Sequence, residues 1–191
     1  MDAIDNRCPW CLGSQRYIDY HDQEWGRPVR EEQKMFELLI LETFQAGLSW
    51  STILNKREYF REAFYNFDID TVANMDDLDI EELLQNKGII RNRKKIVAAI
   101  NNARTLKELH KNGQRLVDLL WGYVNGTPIN NKRSAMTEVP AVTELAIKIS
   151  KDLKNKGFKF IGPTTMYAHM QACGMVNDHL ITCPAYTECL E

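Results

Sequence analysis

Apolar residues recur along most of the chain at helical spacing, and no segment shows the clear alternation of a surface strand. The spacing predicts longer helices over residues 31–47, 50–67, 91–112, 141–156 and 164–173. Asp68 and Asp76 are suited to cap two short helices, the second of which ends at Gly88. Residues 123–140, with an Asn-Gly pair and two prolines, form the one long predicted loop. The pattern predicts an all-α protein with a single domain over 1–191.

The helix predicted over 31–47 is apolar on nearly every side, which indicates a central position in the core. Glu42 is the one carboxylate in its most apolar stretch, residues 38–44. A buried, ionised carboxylate without a partner is costly, so Glu42 must be protonated or paired. A position at the surface, or a pair with an arginine, is the alternative. Glu42 is therefore the first candidate for a functional side chain.

Charge is unevenly distributed, although the formal net charge of −2 does not by itself indicate a nucleic-acid binder. Residues 1–82 contain 18 acidic and 8 basic residues, whereas residues 83–191 contain 8 acidic and 16 basic residues. Two stretches, 83–107 and 153–177, contain no acidic residue. Solvated helix faces explain either stretch alone. Together they make an anionic polymer an equally good explanation.

Composition places the chain among ordinary globular proteins, with 44% hydrophobic and 26% charged residues. No apolar run approaches the roughly 20 residues that span a membrane, and residues 1–5 lack the features of a signal peptide. We therefore expect a cytoplasmic protein with no membrane partner. Five cysteines then favour metal ligation or burial over disulfides. The pair Cys8 and Cys11 has the spacing of a redox motif but lacks the preceding strand.

The decapeptide KGFKFIGPTT, which ends at Thr165, joins two predicted helices. Gly157 permits a left-handed helix end, and Gly162 leaves the backbone open beside the next helix. Pro163 suits a first helical turn. The amides and hydroxyls of Thr164 and Thr165 then favour a phosphate oxygen. An ordinary connection between helices is the alternative.

Five motifs follow one another along the chain. They are YHDQEWG at 20–26, LETFQAGLSW at 41–50, GIIRNR at 88–93, GFKFIG at 157–162 and MQACGMVNDH at 170–179. Together they resemble the bacterial 3-methyladenine DNA glycosylase I family, over nearly the whole chain from Arg7 to Cys183. The resemblance implies a two-lobed helical bundle with a helix-hairpin-helix motif at about 141–174. It also implies a monomer that acts on double-stranded DNA containing alkylated bases.

The resemblance further implies one structural zinc ion bound by Cys8, His21, His179 and Cys183. Two thiolates and two imidazoles close a tetrahedral site and leave no position for a catalytic water. His179 and Cys183 are four residues apart, as on one face of a helical turn. Neither chain end has strong helix signals, so the ion would hold both ends in place. A competing set uses Cys11 with Cys8, as in zinc ribbons, and leaves His21 without a role.

The resemblance assigns base recognition and catalysis to Glu42, and an aromatic base pocket to Tyr17, Tyr20 and Trp50. Trp10 and Trp25 are candidates for its edge. Contacts to DNA phosphates are expected from the residues of the hairpin: Gly157, Lys159, Gly162, Thr164 and Thr165.

The implied reaction is hydrolysis of the N-glycosidic bond of 3-methyladenine, which releases the free base and leaves an abasic site. Asn177 stands where the superfamily carries a catalytic aspartate, and Thr164 stands where lyase-active members carry a lysine. Without that lysine the expected enzyme is monofunctional, and the missing aspartate is explained because a cationic base leaves without its help. The first alternative is a non-enzymatic, zinc-stabilised protein that binds damaged DNA. The second is a zinc hydrolase acting on small molecules, which would use three protein ligands and a water.

Overall fold

A computed structural model describes residues 6–190. Residues 1–5, on which the expectation of no signal peptide rests, lie outside the described residues. The helices are α1 Gln15–Gln23, α2 Glu32–Gln45, α3 Trp50–Ala63, α4 Ile69–Asn74, α5 Asp77–Gln85, α6 Arg93–Lys111, α7 Leu116–Gly122, α8 Glu144–Asn155, α9 Pro163–Ala172 and α10 Pro184–Glu188. Strands β1 Ile129–Asn130 and β2 Val176–Asn177 pair in parallel, with Ile129 opposite Val176. The helical prediction is confirmed apart from this short pair. None of the helices within residues 6–190 is long and apolar enough to cross a membrane.

Helix α2 lies at the centre of the core, as its sequence predicts. Every residue from Met35 to Phe44 is buried, and α2 contacts α3, α6, α7 and α9. Burying one large apolar side chain stabilises the fold by about 1.5–3 kcal/mol, so α2 is strongly fixed by its surroundings. Glu42 is consequently held inside the protein, since the helix has no face turned to water at that position.

The C-terminus of α2 is closed by a lysine from α6. Lys95 is buried, and its Nζ donates to the carbonyl oxygens of Phe44 at 2.7 Å and Ala46 at 2.6 Å. The last carbonyls of a helix have no partner within the helix, so this ammonium satisfies them. The chain then reverses at Gly47, which has a φ of +83°. Helix α3 begins just beyond, at Trp50.

Three helices differ from the sequence prediction. Helices α1, α7 and α10 form where the sequence predicts none, and α1 and α10 lie in end segments that lack strong helix signals. The side chain of Ser14 caps α1 by accepting a hydrogen bond from the Tyr17 amide at 3.3 Å. All three helices have at most nine residues, so few turns are available to show an apolar stripe.

Gly88 does not end α5, which contradicts the sequence prediction. Helix α5 ends at Gln85, and the φ of Gly88 is not in the left-handed region. A Cβ at Gly88 would lie 2.8 Å from side-chain atoms of Tyr59. Close packing against α3, rather than helix termination, therefore explains this glycine.

The basic stretch 83–107 is used mainly for internal contacts. Arg93 and Lys107 form ion pairs with acidic residues of α5 and α4. Arg104 donates to two backbone carbonyls at the C-terminal end of α4, and Lys95 closes α2. Structural roles therefore explain much of this stretch. The case for an anionic partner rests more heavily on the second stretch, 153–177.

A buried arginine on α3 connects the end of α1 to α2. Arg57 Nε donates to Glu37 Oε1 at 2.8 Å, and its two terminal nitrogens donate to the two oxygens of Glu24 at 2.8 Å each. Burial opposes ionisation of Glu24, but the hydrogen bonds and charge of Arg57 outweigh it and lower the pKa of that carboxyl. This network fixes where α1 lies against the core.

Replacing Arg57 with methionine is expected to lower the free energy of unfolding by about 3–5 kcal/mol, because Glu37 would remain buried beside fewer cations. Chemical denaturation measures the loss. Arg61→Met is the matched control, since Arg61 also contacts Glu37 but is more exposed, at 29% against 6%. It should cost less than about 1 kcal/mol. Equal losses in the two variants would contradict the assignment.

Candidate functional site

A cavity of about 270 Å³ opens between α1, α2, α3 and α9. We call it the Glu42 pocket. It is lined by Trp10, Tyr17, Tyr20, Trp25, Glu42, Gln45, Trp50, Met136, Val139, Ala168 and Gln171. The structure thus brings together the four side chains proposed for base binding from the sequence and both proposed edge tryptophans. These six residues lie in separate segments between positions 10 and 50, and the fold brings them together.

Glu42 is the only carboxylate among the described residues that line this pocket. Its side chain is 5% exposed, and burial raises its pKa to about 8. Near neutral pH the carboxyl is therefore mostly protonated. A cation beside it would favour the ionised form and lower the pKa again. The pocket is consequently suited to a positively charged ligand or to a hydrogen-bond donor.

Aromatic rings form the walls of the Glu42 pocket. The rings of Tyr20 and Trp50 have centroids 5.3 Å apart, and Trp10 meets Tyr17 and Trp25 edge-on at 5.1 and 4.9 Å. Burial, with a smaller contribution from Glu42, raises the pKa of Tyr20 well above its usual value, so its phenol stays neutral. The buried Nε1 of Trp50 has no hydrogen-bond partner among the described residues. The walls of the pocket therefore consist mainly of flat aromatic surface.

The sequence reasoning missed five lining residues. They are Gln45, Met136, Val139, Ala168 and Gln171. Gln45 lies three residues after Glu42 on the same helix, so helical spacing is a usable signal for it. Met136 and Val139 come from the irregular connection before α8, where no periodicity exists to indicate them. Gln171 donates from Nε2 to Asp178 at 2.8 Å, which fixes the orientation of its amide.

Within the described residues 6–190, the segment after α9, which contains Asn177 and Asp178, contributes no side chain to the pocket lining. Asn177 is buried, where its Nδ2 donates to the Tyr186 carbonyl at 3.0 Å and its Oδ1 accepts from the His179 amide at 3.1 Å. Asp178 is also buried and accepts hydrogen bonds from four side chains, including Arg133. Both side chains hold backbone or neighbouring side chains in place.

Cys8, His21, His179 and Cys183 form one buried group whose ligand atoms all lie within 4.8 Å of one another. We call it the Cys/His cluster. The Sγ of Cys183 lies 3.5 Å from His21 Nε2 and 3.8 Å from His179 Nδ1, and Cys8 Sγ lies 3.7 Å from the same Nδ1. A tetrahedral zinc ion holds sulfur and nitrogen ligands about 3.5 Å apart. The donor types and spacing therefore fit such an ion.

The surroundings of the cluster also fit a metal. The second nitrogen of each imidazole is engaged, His21 Nδ1 with Asp22 at 2.7 Å and His179 Nε2 with the Trp25 carbonyl at 3.0 Å. Such bonds orient metal-bound histidines. A hydrogen bond between the sulfurs raises the pKa of Cys8 and lowers that of Cys183. A divalent cation binds thiolates and so displaces protons from such a pair.

The ligand arrangement excludes one alternative and differs from the sequence reasoning in one detail. Cys11 lies outside the cluster, and its thiol donates to the Cys8 carbonyl at 3.2 Å, so the competing Cys8 and Cys11 set is not assembled. The residues from His179 to Cys183 form a turn rather than part of a helix, because α10 begins only at Pro184. The expectation of one helical face is therefore wrong.

The Cys/His cluster adjoins the wall of the Glu42 pocket. The Trp10 ring lies 5.2 Å from the His21 ring, and the Trp25 ring lies 4.7 Å from the His179 ring, centroid to centroid. Since both tryptophans line the pocket, the cluster supports one of its walls directly. No pattern in the sequence indicates this contact.

Residues 156–162 form a hairpin between α8 and α9, which pack against each other. Gly157 has a φ of +103°, as predicted for the left-handed end of α8, and Pro163 opens α9 after Gly162. Lys159 and Thr164 are exposed. Ala168 and Gln171, farther along α9, line the Glu42 pocket, roughly 6 and 10 Å from Thr164 along the helix axis. One helix thus links the hairpin to the pocket.

The fold and the site define a helical protein whose pocket, between aromatic rings and a buried carboxyl, is suited to a flat ligand and adjoins a metal-type cluster. The family model for methyladenine glycosylases matches residues 10–186. The chain belongs to the methyladenine glycosylase family, which confirms the resemblance seen in the motifs.

Individual relatives agree with this membership. The chain is 49% identical to the DNA-3-methyladenine glycosylase of Haemophilus influenzae over 184 residues, covering 96% of this chain and 100% of the relative. It is 47% identical to DNA-3-methyladenine glycosylase 1 of Escherichia coli over 180 residues, covering 94% and 96%. The solved 3-methyladenine DNA glycosylase I from Staphylococcus aureus, determined for its recognition of 3-methyladenine, superimposes with a TM-score of 0.92 at 38% identity, covering 96% and 98%.

Proposed function

We propose that the protein is a monofunctional DNA glycosylase that excises 3-methyladenine from alkylated double-stranded DNA. The products are free 3-methyladenine and an abasic site. The observation that carries this proposal is the Glu42 pocket, in which one buried carboxyl faces a wall of aromatic rings. Family membership and two relatives named for this activity support it.

The chemistry of the pocket explains how the damaged base is selected. Adenine methylated at N3 within DNA is a cation, so Tyr17, Tyr20 and Trp50 attract it by stacking and cation–π interaction. Ionised Glu42 adds Coulombic attraction and accepts from the exocyclic amine. Normal adenine is neutral and gains little from either effect. The base must leave the stack to enter, at a cost of a few kcal/mol that damage reduces.

The positive charge of the methylated base also makes it a good leaving group, and this explains the cleavage step. The bond between the sugar C1′ and the base nitrogen breaks, and its electron pair leaves with the base, which becomes neutral. Glu42 and the DNA phosphates stabilise the oxocarbenium-like sugar that remains. Water then forms a bond to C1′ and loses a proton. Asn177 takes no part in this step, and Thr164 offers no amine for a covalent intermediate.

We further propose that the Cys/His cluster holds one zinc ion. Four protein ligands leave no position for water, so the ion would hold the structure together and supply no chemistry to the reaction. Cys8 and His21 lie near the N-terminus of the sequence, and His179 and Cys183 lie near its C-terminus. The bound ion would tie these two ends of the chain together beside the pocket wall.

The hairpin is the proposed contact to the DNA backbone, with α8 and α9 as a helix-hairpin-helix motif within about 141–174. Exposed Lys159 and Thr164, the backbone at Gly157 and Gly162, and the first turn of α9 at Thr165 face a phosphate in this proposal. A single domain of two lobes over 1–191, a monomeric state and a cytoplasmic location remain predictions from the sequence.

The rate of excision is expected to rise with pH and to level off above about 8. Burial raises the pKa of Glu42, so the ionised fraction of the free enzyme falls as the pH drops below that value. Because the carboxylate attracts the cationic base, kcat/KM should fall about tenfold per pH unit in that range. Single-turnover rates between pH 6 and 9 measure this, and Glu42→Gln should show no such slope. A flat wild-type profile would contradict the assignment.

The decisive test of the proposed function is to identify the bases released from methylated duplex DNA by chromatography. Release of 3-methyladenine with abasic sites is expected. Tight binding without release would support the non-enzymatic alternative, a protein that only recognises damage. Trapping of a protein–DNA adduct by borohydride would show a Schiff base and overturn the monofunctional assignment.

A further inference from the structure

The hairpin is held from behind by one buried amide of α6. Asn102 has no exposed surface. Its Oδ1 accepts from the Lys159 backbone amide at 2.7 Å, and its Nδ2 donates to the Lys159 carbonyl at 3.0 Å. A single side chain thus engages both backbone groups of one hairpin residue, as a neighbouring strand would. The sequence offered no reason to connect positions 102 and 159.

Two more side chains grip the hairpin at alternate residues. Asn101 Nδ2 donates to the Gly157 carbonyl at 2.9 Å, and the buried Ser150 Oγ donates to the Ile161 carbonyl at 2.6 Å. Together with Asn102, they engage residues 157, 159 and 161. Helices α6 and α8 therefore clamp the hairpin from two sides.

The residue between these anchored positions has a strained backbone. Phe160 has a φ of +58°, in the left-handed region that non-glycine residues rarely adopt, and its side chain is 45% exposed. Strain of this kind persists only where surrounding contacts determine the backbone. The bonds to Lys159 and Ile161 supply those contacts on either side. They also fix the direction in which the Lys159 side chain leaves the hairpin.

We propose that Asn102 is a positioning residue for DNA binding, acting through the hairpin. It holds the backbone of Lys159 so that the strained turn at Phe160 stays formed and the hairpin meets a DNA phosphate. This inference rests on the proposed function of the hairpin. Asn102 itself touches neither the Glu42 pocket nor the Cys/His cluster, since it is absent from the lining of the one and the ligands of the other.

The test compares affinity for DNA with affinity for the free base. Asn102→Ala is expected to weaken binding to a duplex carrying an abasic-site analogue by about tenfold, because two hydrogen bonds to the hairpin are lost. Binding of free 3-methyladenine, followed by tryptophan fluorescence, should remain unchanged. Asn102→Asp keeps the acceptor for the Lys159 amide but loses the donor, and it provides a second, isosteric variant with the same expected direction.

The matched control is Leu106→Ala, which removes a buried apolar side chain from the same helix but no hydrogen bond to the hairpin. It lowers stability but should leave DNA affinity within twofold of the wild-type value. An equal loss of DNA affinity in Leu106→Ala would mean that general destabilisation explains the result, and would overturn the inference.

A second substitution tests whether Asn102 acts by holding the backbone conformation at Phe160 or only through its own hydrogen bonds to Lys159. Glycine adopts a positive φ without strain, so in a Phe160→Gly background the penalty of Asn102→Ala should shrink to less than about twofold. An unchanged tenfold penalty would overturn the role of the turn. Unaltered DNA affinity in Asn102→Ala, with 3-methyladenine still released, would defeat the inference alone. Absence of base release by the wild-type protein, with DNA binding intact, would defeat the proposed function alone.

Discussion

Replacing Glu42 with glutamine is expected to reduce the excision of 3-methyladenine from alkylated DNA by about 10²–10³-fold. The amide preserves the shape of the side chain and its packing between α2 and the aromatic rings. It cannot carry the negative charge that stabilises the cationic base and the sugar cation formed as the base departs. Single-turnover release of 3-methyladenine from methylated duplex DNA measures the effect.

The same substitution should make the protein more stable at alkaline pH. Burial raises the pKa of Glu42 from its ordinary value of 4.5 to about 8, so between these values the folded protein holds a proton that the unfolded chain has released, and stability falls as the pH rises from 4.5 to 8. Glutamine stays neutral, so the melting temperature of Glu42→Gln relative to the wild type should increase between about pH 5 and 8 and stay constant above 8. A gain in stability with a loss of activity is typical of a functional residue.

Glu37→Gln is the matched control for this prediction. Glu37 is a buried carboxylate on the same helix, but it pairs with Arg57 and Arg61 and does not line the pocket. Its substitution should lower stability and leave base release per folded molecule near the wild-type rate. Full activity in correctly folded Glu42→Gln would contradict the role assigned to Glu42.

Part of this site could be predicted from local sequence pattern. The apolar surroundings of Glu42 within one helix make its burial visible, since nearly three helical turns of mostly apolar residues leave no solvent face. Gly157 and Pro163 likewise mark the ends of their helices by local backbone chemistry, and the structure agrees.

Other parts depend on contacts that no local pattern encodes. His21 and Cys183 are 162 residues apart, and only the resemblance to a family brought them together before the structure did. Lys95 looked like one member of a basic surface stretch, yet it closes the end of α2. Met136 reaches the pocket from an irregular segment. In each case the partner is supplied by tertiary packing, which the spacing of residues along one element does not show.

The contact between the Cys/His cluster and the pocket wall changes what the cluster is expected to do. Trp10 and Trp25 meet His21 and His179 edge-on, and the Trp25 carbonyl accepts from His179. A cluster that merely joined the chain ends would not need to adjoin the ligand cavity. Because the Trp10 and Trp25 rings pack against His21 and His179, the shape of the pocket wall should depend on these two histidines being held in place by the metal.

Replacing Cys183 with serine is therefore expected to lower both stability and affinity for the free base. The bound zinc should fall from one ion per molecule to less than a tenth, as metal analysis would show. The melting temperature should fall by on the order of 10 °C, because a structural metal contributes several kcal/mol and each costs about 2–4 °C at this size. Affinity for free 3-methyladenine should fall as well, since Trp10 and Trp25 lose their support.

Cys189→Ser is the control, because Cys189 is a buried cysteine outside the Cys/His cluster. It should retain the full zinc content and wild-type affinity for the base. Unchanged zinc content in Cys183→Ser would refute the proposed ligand set. Loss of zinc with undiminished base affinity, measured well below the melting temperature, would limit the ion to tying the chain ends together. A loss of both would make the metal part of how the pocket recognises its base, because its ligands hold the aromatic wall against which the base stacks.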